Sequence, residues 1–348
     1  MAANKAIRVL VVDDSLLMRE VIAAGLAKDS GIEVVGKASD PYEARDRIVE
    51  LEPDVVTLDV EMPRMNGIEF LRHLMPQYPL PVVVVSSLSN AVFDALNAGA
   101  VDFVTKPQAK TPRDMDHFIQ ELAVKIKIAS MAKVKHLKRA PATERIQTMR
   151  TVSDERRIIA IGASTGGTEA TLQVLKAFPP DMPGTLIVQH MPPVFTRMYA
   201  ERLNGACLMQ VREAQDGDEV KQGLALVAPG DRQMSLVLDR GVYRVRCKPG
   251  EKVSGHCPSV DVLFESVAET AKDRAIGVIL TGMGADGARG LMRMRRAGAY
   301  TVGQDEKSCV VYGMPAVAWD SGAVMHQGSP DSIPGLIQEY LMKPPGRR

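Results

Sequence analysis

Short apolar runs recur through the first 130 residues at 9–12, 34–37, 55–58, 82–85 and 101–105. Between them lie stretches with helical periodicity. Met18, Val21, Ile22 and Leu26 recur at i, i+3, i+4 and i+8, one face of an α-helix. Met115, Phe118, Ile119, Leu122 and Ile126 form a final amphipathic segment. Five strands, each followed by a helix, predict a flavodoxin-like (βα)5 unit with a parallel sheet, because parallel neighbours require crossover helices. Their runs are apolar throughout rather than alternating, so the strands are expected to be buried on both faces.

The pattern fails between about 130 and 157, where eight Lys and Arg residues face only Glu144, Asp154 and Glu155. This reads as a solvated linker rather than a nucleic-acid arm, since no aromatic residue sits there to stack on a base. Order resumes with aliphatic runs at 158–161, 186–189 and 276–280. Around 224–243 the spacing shortens, with turn signals at Pro229-Gly230-Asp231 and Asp239-Arg240-Gly241. A β-hairpin inserted into a doubly wound, mostly parallel α/β domain is expected there. The expected organisation is a first domain at 1–128, a linker at 129–156 and a second domain at 157–343. A length of 348 residues agrees with two domains at about 150 residues each.

Composition narrows the classes. The net charge, 43 − 42 = +1, gives no global attraction to nucleic acid or anionic membrane. The aliphatic runs are strand-sized, far below the ~18 residues that span a bilayer. The apolar run at 9–12 ends in Asp13-Asp14 and is too short for a signal peptide. The four cysteines, Cys207, Cys247, Cys257 and Cys309, are widely spaced without a CxxC pair, as in a reducing cytosol. A cytoplasmic protein without membrane insertion is expected.

In an open parallel sheet, ligands sit at the carboxyl ends of the strands. Asp13 and Asp14 end the first predicted strand, Asp59 the third, Ser86 the fourth and Lys106 the fifth. Each alone could be a cap or turn residue. Together they predict an acidic pocket that needs a hard cation such as Mg²⁺. Ser86 and Lys106 would then be placed to bind an anion, which suits phosphoryl transfer to a carboxylate. VLVVDDS, VTLDVEMPRMNG, VVVVSS and DFVTKP resemble the signatures of a two-component receiver domain, over about residues 5–128. The resemblance implies that Asp59 accepts phosphate from a histidine kinase. It further implies that Asp14, Asp59 and the Glu61 carbonyl hold Mg²⁺ with support from Asp13, and that Ser86 and Lys106 sense the phosphoryl group.

In the second domain, Gly162-Ala163-Ser164-Thr165-Gly166-Gly167 follows the strand at 158–161. It fits a nucleophile turn of the G-x-S-x-G kind, a phosphate-cradling loop, or a plain glycine-rich connection capped by Ser164. Two further strand ends favour the first. His190 ends 186–189, and Asp286 follows 276–280 within TGMGADG. If those strands are neighbours, a Ser-His-Asp constellation forms. Among the other histidines, His73, His117 and His136 belong to the first domain or linker, and His326 to a strand-like run at 323–326. His256, with no clear strand before it, could line a substrate cleft. Nicotinamide chemistry is disfavoured because no tyrosine has lysine four residues later.

The order Ser164, His190, Asp286 departs from that of α/β-hydrolases. IGASTGG, VQHMPP, VAPGD, HCPSVDVLF, ILTGMGADGA and GMPAVAWDSGAV instead resemble the catalytic domain of chemotaxis protein-glutamate methylesterases, the CheB family. The resemblance implies hydrolysis of glutamate γ-methyl esters on chemoreceptor helices, with deamidation of particular glutamines a further activity of the family. The triad would need no cofactor, and backbone N–H groups of Thr165 and Met283 are candidate oxyanion donors. The tether between the domains suggests that the unphosphorylated receiver covers the Ser164 cleft. The rival expectation is a receiver fused to a non-enzymatic output module such as a DNA-binding regulator, although no helix-turn-helix signal is visible.

Overall fold

A computed structural model describes residues 5–87, 89–108, 111–134 and 156–342. Most of the expected linker, with His136, lies outside the described residues, as does the end of the second domain beyond 342. The chain divides into two compact units, Met1–Lys138 and Arg139–Arg348.

The first unit alternates β1 (Ile7–Val12), α1 (Leu16–Leu26), β2 (Ile32–Ala38), α2 (Pro41–Leu51), β3 (Val55–Asp59), α3 (Gly67–Gln77), β4 (Val82–Ser86), α4 (Ser89–Asn97), β5 (Asp102–Thr105) and α5 (Pro112–Ala129). All neighbours are parallel, in the order β2-β1-β3-β4-β5, the flavodoxin-like arrangement expected. Helix starts follow from capping chemistry: Ser15, Asp40, Asn66 and Thr111 each accept a backbone N–H of the first turn. Burial on both faces holds for β3 and β4 but not for β2, which exposes Glu33 and Lys37. As the sheet's edge, β2 meets solvent, and charged side chains there discourage further pairing.

The second unit contains β6 (Ile158–Ala163), α6 (Gly167–Lys176), β7 (Gly184–Gln189), α7 (Phe195–Ala206), β8 (Gln210–Glu213), β9 (Leu224–Val227), β10 (Gln233–Asp239) and β11 (Val242–Lys248). It continues with α8 (Val260–Thr270), β12 (Ala275–Ile279), α9 (Ala288–Arg296), β13 (Tyr300–Gln304), α10 (Met314–Asp320), β14 (His326–Gly328) and α11 (Ile333–Met342). Seven strands form one parallel sheet in the order β14-β13-β12-β6-β7-β9-β8.

The hairpin lies later than expected. Residues 224–227 join the parallel sheet as β9, and β10 pairs antiparallel with β11. Arg240 and Gly241 both have positive φ at its tip, the backbone that a two-residue hairpin turn requires. Met234, Leu236, Tyr243, Val245 and Cys247 turn one face inward onto the same core as Phe264 and Val267 of α8. Two strands, β8 and β13, had no expectation, and the late strand begins only at His326 rather than at 323. From β6 the chain winds outward through β7, then returns to lay β12 on the other side of β6. That reversal opens a crevice at the carboxyl ends of β12, β6 and β7.

Candidate functional site

The three strand ends are neighbours. Ser164 follows β6, His190 follows β7, and Asp286 lies in the turn between β12 and α9. The His190 backbone N–H donates to the Ala163 carbonyl at 3.1 Å, and the Ser164 N–H to the Thr281 carbonyl at 3.0 Å. These bonds extend the sheet ladder one residue past each strand and hold the three turns together. The Ser164 turn is tight: Gly166 has φ +77°, and a Cβ there would lie 2.6 Å from Val310 Cβ. Only glycine serves at that point.

His190 Nε2 lies 2.8 Å from Asp286 Oδ2. A carboxylate only accepts, so Nε2 carries the proton and the lone pair of the neutral ring is on Nδ1. Nδ1 is buried and has no hydrogen-bond partner among the described residues, so Ser164 Oγ and His190 are not hydrogen-bonded in this state. Catalytic bonds of this kind often tighten only when substrate arrives.

The Asp286 carboxylate accepts four hydrogen bonds. Oδ1 accepts from the Ser259 hydroxyl (2.8 Å) and the Asp261 N–H (3.0 Å), while Oδ2 accepts from the Val260 N–H (2.7 Å) as well as His190. Three of these donors belong to the cap and first turn of α8, where the helix dipole favours negative charge. Burial pushes the Asp286 carboxyl up, but His190, the Asp261 N–H and the Ser259 hydroxyl outweigh it and hold it below the usual carboxylate range. Asp261 reciprocates by accepting the Gly290 N–H of α9 at 2.8 Å. Burial and the nearby Asp286 charge raise the Asp261 carboxyl.

The Thr281 side chain is fully buried against the Ser164–Thr165 turn. Its Oγ1 lies 3.0 Å from the Thr165 carbonyl and accepts the Val311 N–H at 3.0 Å. The Gly282 carbonyl accepts N–H groups of Gly313 (3.1 Å) and Met314 (2.8 Å). A trans peptide points its N–H opposite its carbonyl, so the Met283 N–H is turned away from α10. Met283 itself is 39% exposed. His256 stacks flat on His190, ring centroids 3.6 Å apart and planes 7° from parallel. It sits in a tight turn after β11, bridged to Val253. His73 and His117 lie on α3 and α5 of the first unit, and His326, at the start of β14, packs against Tyr300 with ring centroids 5.5 Å apart.

The acidic pocket of the first unit also forms. Potential ligand oxygens of Asp13, Asp14 and Asp59 lie within 4.8 Å of one another. Lys106 Nζ bridges Asp13 Oδ2 (2.7 Å) and Asp59 Oδ2 (2.6 Å). The Glu61 N–H donates to Asp59 Oδ1 at 3.1 Å, and the Lys106 N–H to the Ser86 carbonyl at 3.0 Å. Burial, with Asp13 beside it, raises the Asp59 carboxyl despite the Lys106 contact. Burial opposes the Lys106 charge, yet Asp13 and Asp59 hold its proton more tightly than usual. Three carboxylates with hard oxygen donors, two of them buried, fit a divalent cation. Arg19 was not foreseen; its Nη1 donates to the Asp13 carbonyl (2.6 Å) and the Asp14 carbonyl (3.0 Å). Among the described residues, no helix is long and apolar enough to cross a membrane.

Comparison with known proteins agrees with this geometry. A family described as CheB methylesterase matches residues 159–337, and one described as response regulator receiver domain matches 9–116. The chain is 61% identical over 323 residues to protein-glutamate methylesterase/protein-glutamine glutaminase 2 of Syntrophomonas wolfei, covering 93% of this chain and 94% of that one. It is 54% identical over 346 residues to the protein-glutamate methylesterase/protein-glutamine glutaminase of Syntrophotalea carbinolica, covering 97% and 98%. The crystal structure of the Thermotoga maritima CheB methylesterase catalytic domain superposes with a TM-score of 0.52 at 35% identity, covering 53% of this chain and 98% of that one. With matches spanning both units, the chain belongs to the CheB family of methylesterases that carry a receiver domain.

Proposed function

We propose that this chain hydrolyses glutamate γ-methyl esters on chemoreceptor cytoplasmic helices, releases methanol, and deamidates particular glutamines at the same site. The observation that carries the reading is the arrangement of Ser164, His190 and Asp286 on adjacent strand ends, with His190 held by Asp286 at 2.8 Å. His190 Nδ1 takes the Ser164 proton as Oγ bonds to the ester carbonyl carbon. The imidazolium then returns that proton to the departing methoxy oxygen, giving methanol, or in deamidation to the departing amide nitrogen, giving ammonia; either leaves an acyl-enzyme that water hydrolyses by the reverse roles. Thr165 and Met283 N–H groups stabilise the oxyanion. Asp286 stays ionised and fixes the tautomer with Nε2 protonated. A non-enzymatic output module would have no need of a buried His–Asp pair at a strand-order reversal.

In the receiver, Asp59 is the phosphoacceptor for a histidine kinase. Asp13, Asp14, Asp59 and the Glu61 carbonyl would hold Mg²⁺, which supplies neutralisation of charge on the phosphoryl oxygens. Ser86 and Lys106 contact the phosphoryl group once it is attached. The domains meet these roles as 1–128 and 157–343, joined by 129–156.

The decisive experiment is methanol release from methylated receptor membranes by Ser164→Ala. The expected result is loss of demethylation with a normal fold, because the substitution removes one hydroxyl from a turn. A folded variant that retains most of its activity removes Ser164 from the nucleophile role.

A further inference from the structure

Gln189 is the last residue of β7, only 3% exposed, and lies between the two catalytic turns. Its Nε2 lies 2.9 Å from the Ser164 carbonyl and 3.4 Å from the His190 carbonyl. The two amide hydrogens therefore reach one carbonyl on each turn. The opposite amide orientation would set an oxygen against two carbonyls, so this one follows from the chemistry of the acceptors. Oε1 is buried with no hydrogen-bond partner among the described residues. It lies so close to Gly167 that a Cβ there would come within 2.4 Å of it.

The Ser164 carbonyl belongs to the same peptide as the Thr165 N–H, and in a trans peptide the two point in opposite directions. Whatever holds that carbonyl therefore aims that N–H. The carbonyl has two donors, the Gly167 N–H at 2.7 Å and Gln189 Nε2. The first belongs to the turn itself; the second anchors the turn to β7, the strand that carries His190. The Gly282–Met283 peptide is held likewise, by its carbonyl.

We propose that Gln189 is a positioning residue of the esterase site, aiming the Thr165 N–H at the position of the transition-state oxyanion. This rests on the reading of Ser164 as nucleophile and Thr165 as oxyanion donor. A residue kept for stability alone would not bury an unpaired amide oxygen, which weakens the fold. Methionine has similar length and no polar group to bury, so it should fill the space without unfolding the domain.

The test uses full-length protein with Gln189→Met and Gln189→Leu, assayed with methylated receptor membranes and acetyl phosphate. Losing an oxyanion donor outright costs about 10²–10³ in kcat. Here the Gly167 N–H still holds the carbonyl, so kcat should fall roughly 10- to 100-fold with KM unchanged. An arylboronic acid supplies a second readout. Its boron accepts Ser164 Oγ, the hydroxyl proton passes to His190, and a tetrahedral oxygen occupies the oxyanion position. Its inhibition constant should weaken by the same factor as kcat/KM, which general loosening of the substrate cleft would not produce.

Wild-type kcat and boronate affinity in the folded variants would overturn the proposal. So would a loss confined to KM, or unfolding of both variants, since either makes Gln189 a cleft or structural residue. Ser164→Ala, run in parallel, separates the two readings. If it is inactive while Gln189→Met matches wild type, only the positioning role falls. If it is active, the nucleophile assignment itself falls.

Discussion

Asp286→Asn should damage both catalysis and stability, and the structure says by what route. The carboxylate accepts four hydrogen bonds, two on each oxygen. An asparagine offers one acceptor oxygen and one amide donor. With the amide nitrogen at the Oδ2 position, two donors, the Val260 N–H and His190 Nε2–H, face a third. His190 must then move its proton to Nδ1, the nitrogen that should accept the Ser164 proton. With the nitrogen at the Oδ1 position, the Asp261 N–H is orphaned at a buried helix start. The first outcome predicts a loss of activity on the order of 10⁴-fold, the size seen when a triad histidine is held in the wrong tautomer. Either outcome leaves one buried N–H unpaired, about 1–3 kcal/mol, and removes a charge from the α8 N-terminus, about 0.3–1 kcal/mol. The combined destabilisation is roughly 1–4 kcal/mol. Trp319, the chain's single tryptophan, lies on α10 of the same domain, so its fluorescence in a urea titration follows that domain. The effect also has a pH signature. The folded Asp286 pKa lies below its unfolded value, so the folded state binds fewer protons and its stabilisation is present above about pH 4. It is lost as pH falls through the folded pKa. The gap between wild type and variant should thus be full at pH 7 and narrow only as pH falls below about 4, the ordinary carboxylate value. A variant as stable as wild type at pH 7 would refute the helix-anchor reasoning, whatever its activity.

Two further outcomes test the regulatory half of the chain. Asp59→Asn should keep basal esterase activity and lose stimulation by acetyl phosphate, because an amide cannot form the acyl phosphate; normal stimulation in a methanol-release assay would point to another acceptor. A fragment beginning at Ser153 should exceed unphosphorylated full-length protein in the same assay by roughly 5- to 150-fold if the receiver occludes the cleft, the range of a coupling of ~1–3 kcal/mol. A folded fragment no more active than the resting chain would rule out occlusion.

The elements that position the chemistry were legible because their cause is local. Buried parallel strands such as β3, β4, β6 and β12 must be apolar on both faces, and continuous aliphatic runs with a polar residue at the end mark them. The edges were harder. β8 reads Gln-Val-Arg-Glu, with only Val211 buried, and nothing in four such residues separates an edge strand from a loop. β13 contains Thr301 and Gly303 and is fully buried, but only its place beside β12 makes it a strand. The hairpin was misplaced for a related reason. Residues 224–227 are a short apolar run next to turn signals, which local spacing cannot distinguish from a hairpin arm. The β7 partnership that decides it is a long-range contact.

At the candidate site, Ser164 and His190 directly follow strands and Asp286 lies in the turn after β12, positions visible in the sequence; the groups that hold them were not. Ser259 reads only as the cap of α8, and nothing nearby marks its hydroxyl as a donor to Asp286, 27 residues on. Val260 and Asp261 contribute backbone N–H groups, which leave no trace in side-chain identity. The arrangement nevertheless has a physical logic. Asp286 precedes α9 and satisfies the first turn of α8; Asp261, in that turn, satisfies the first turn of α9. Each carboxylate meets the orphan donors of the other helix, so the two helix starts cannot separate without exposing buried N–H groups on both. The carboxylate that orients His190 is therefore held by the fold's own need to cap two helices. The ionised state that the proposed triad requires of Asp286 is also the one the helix termini stabilise.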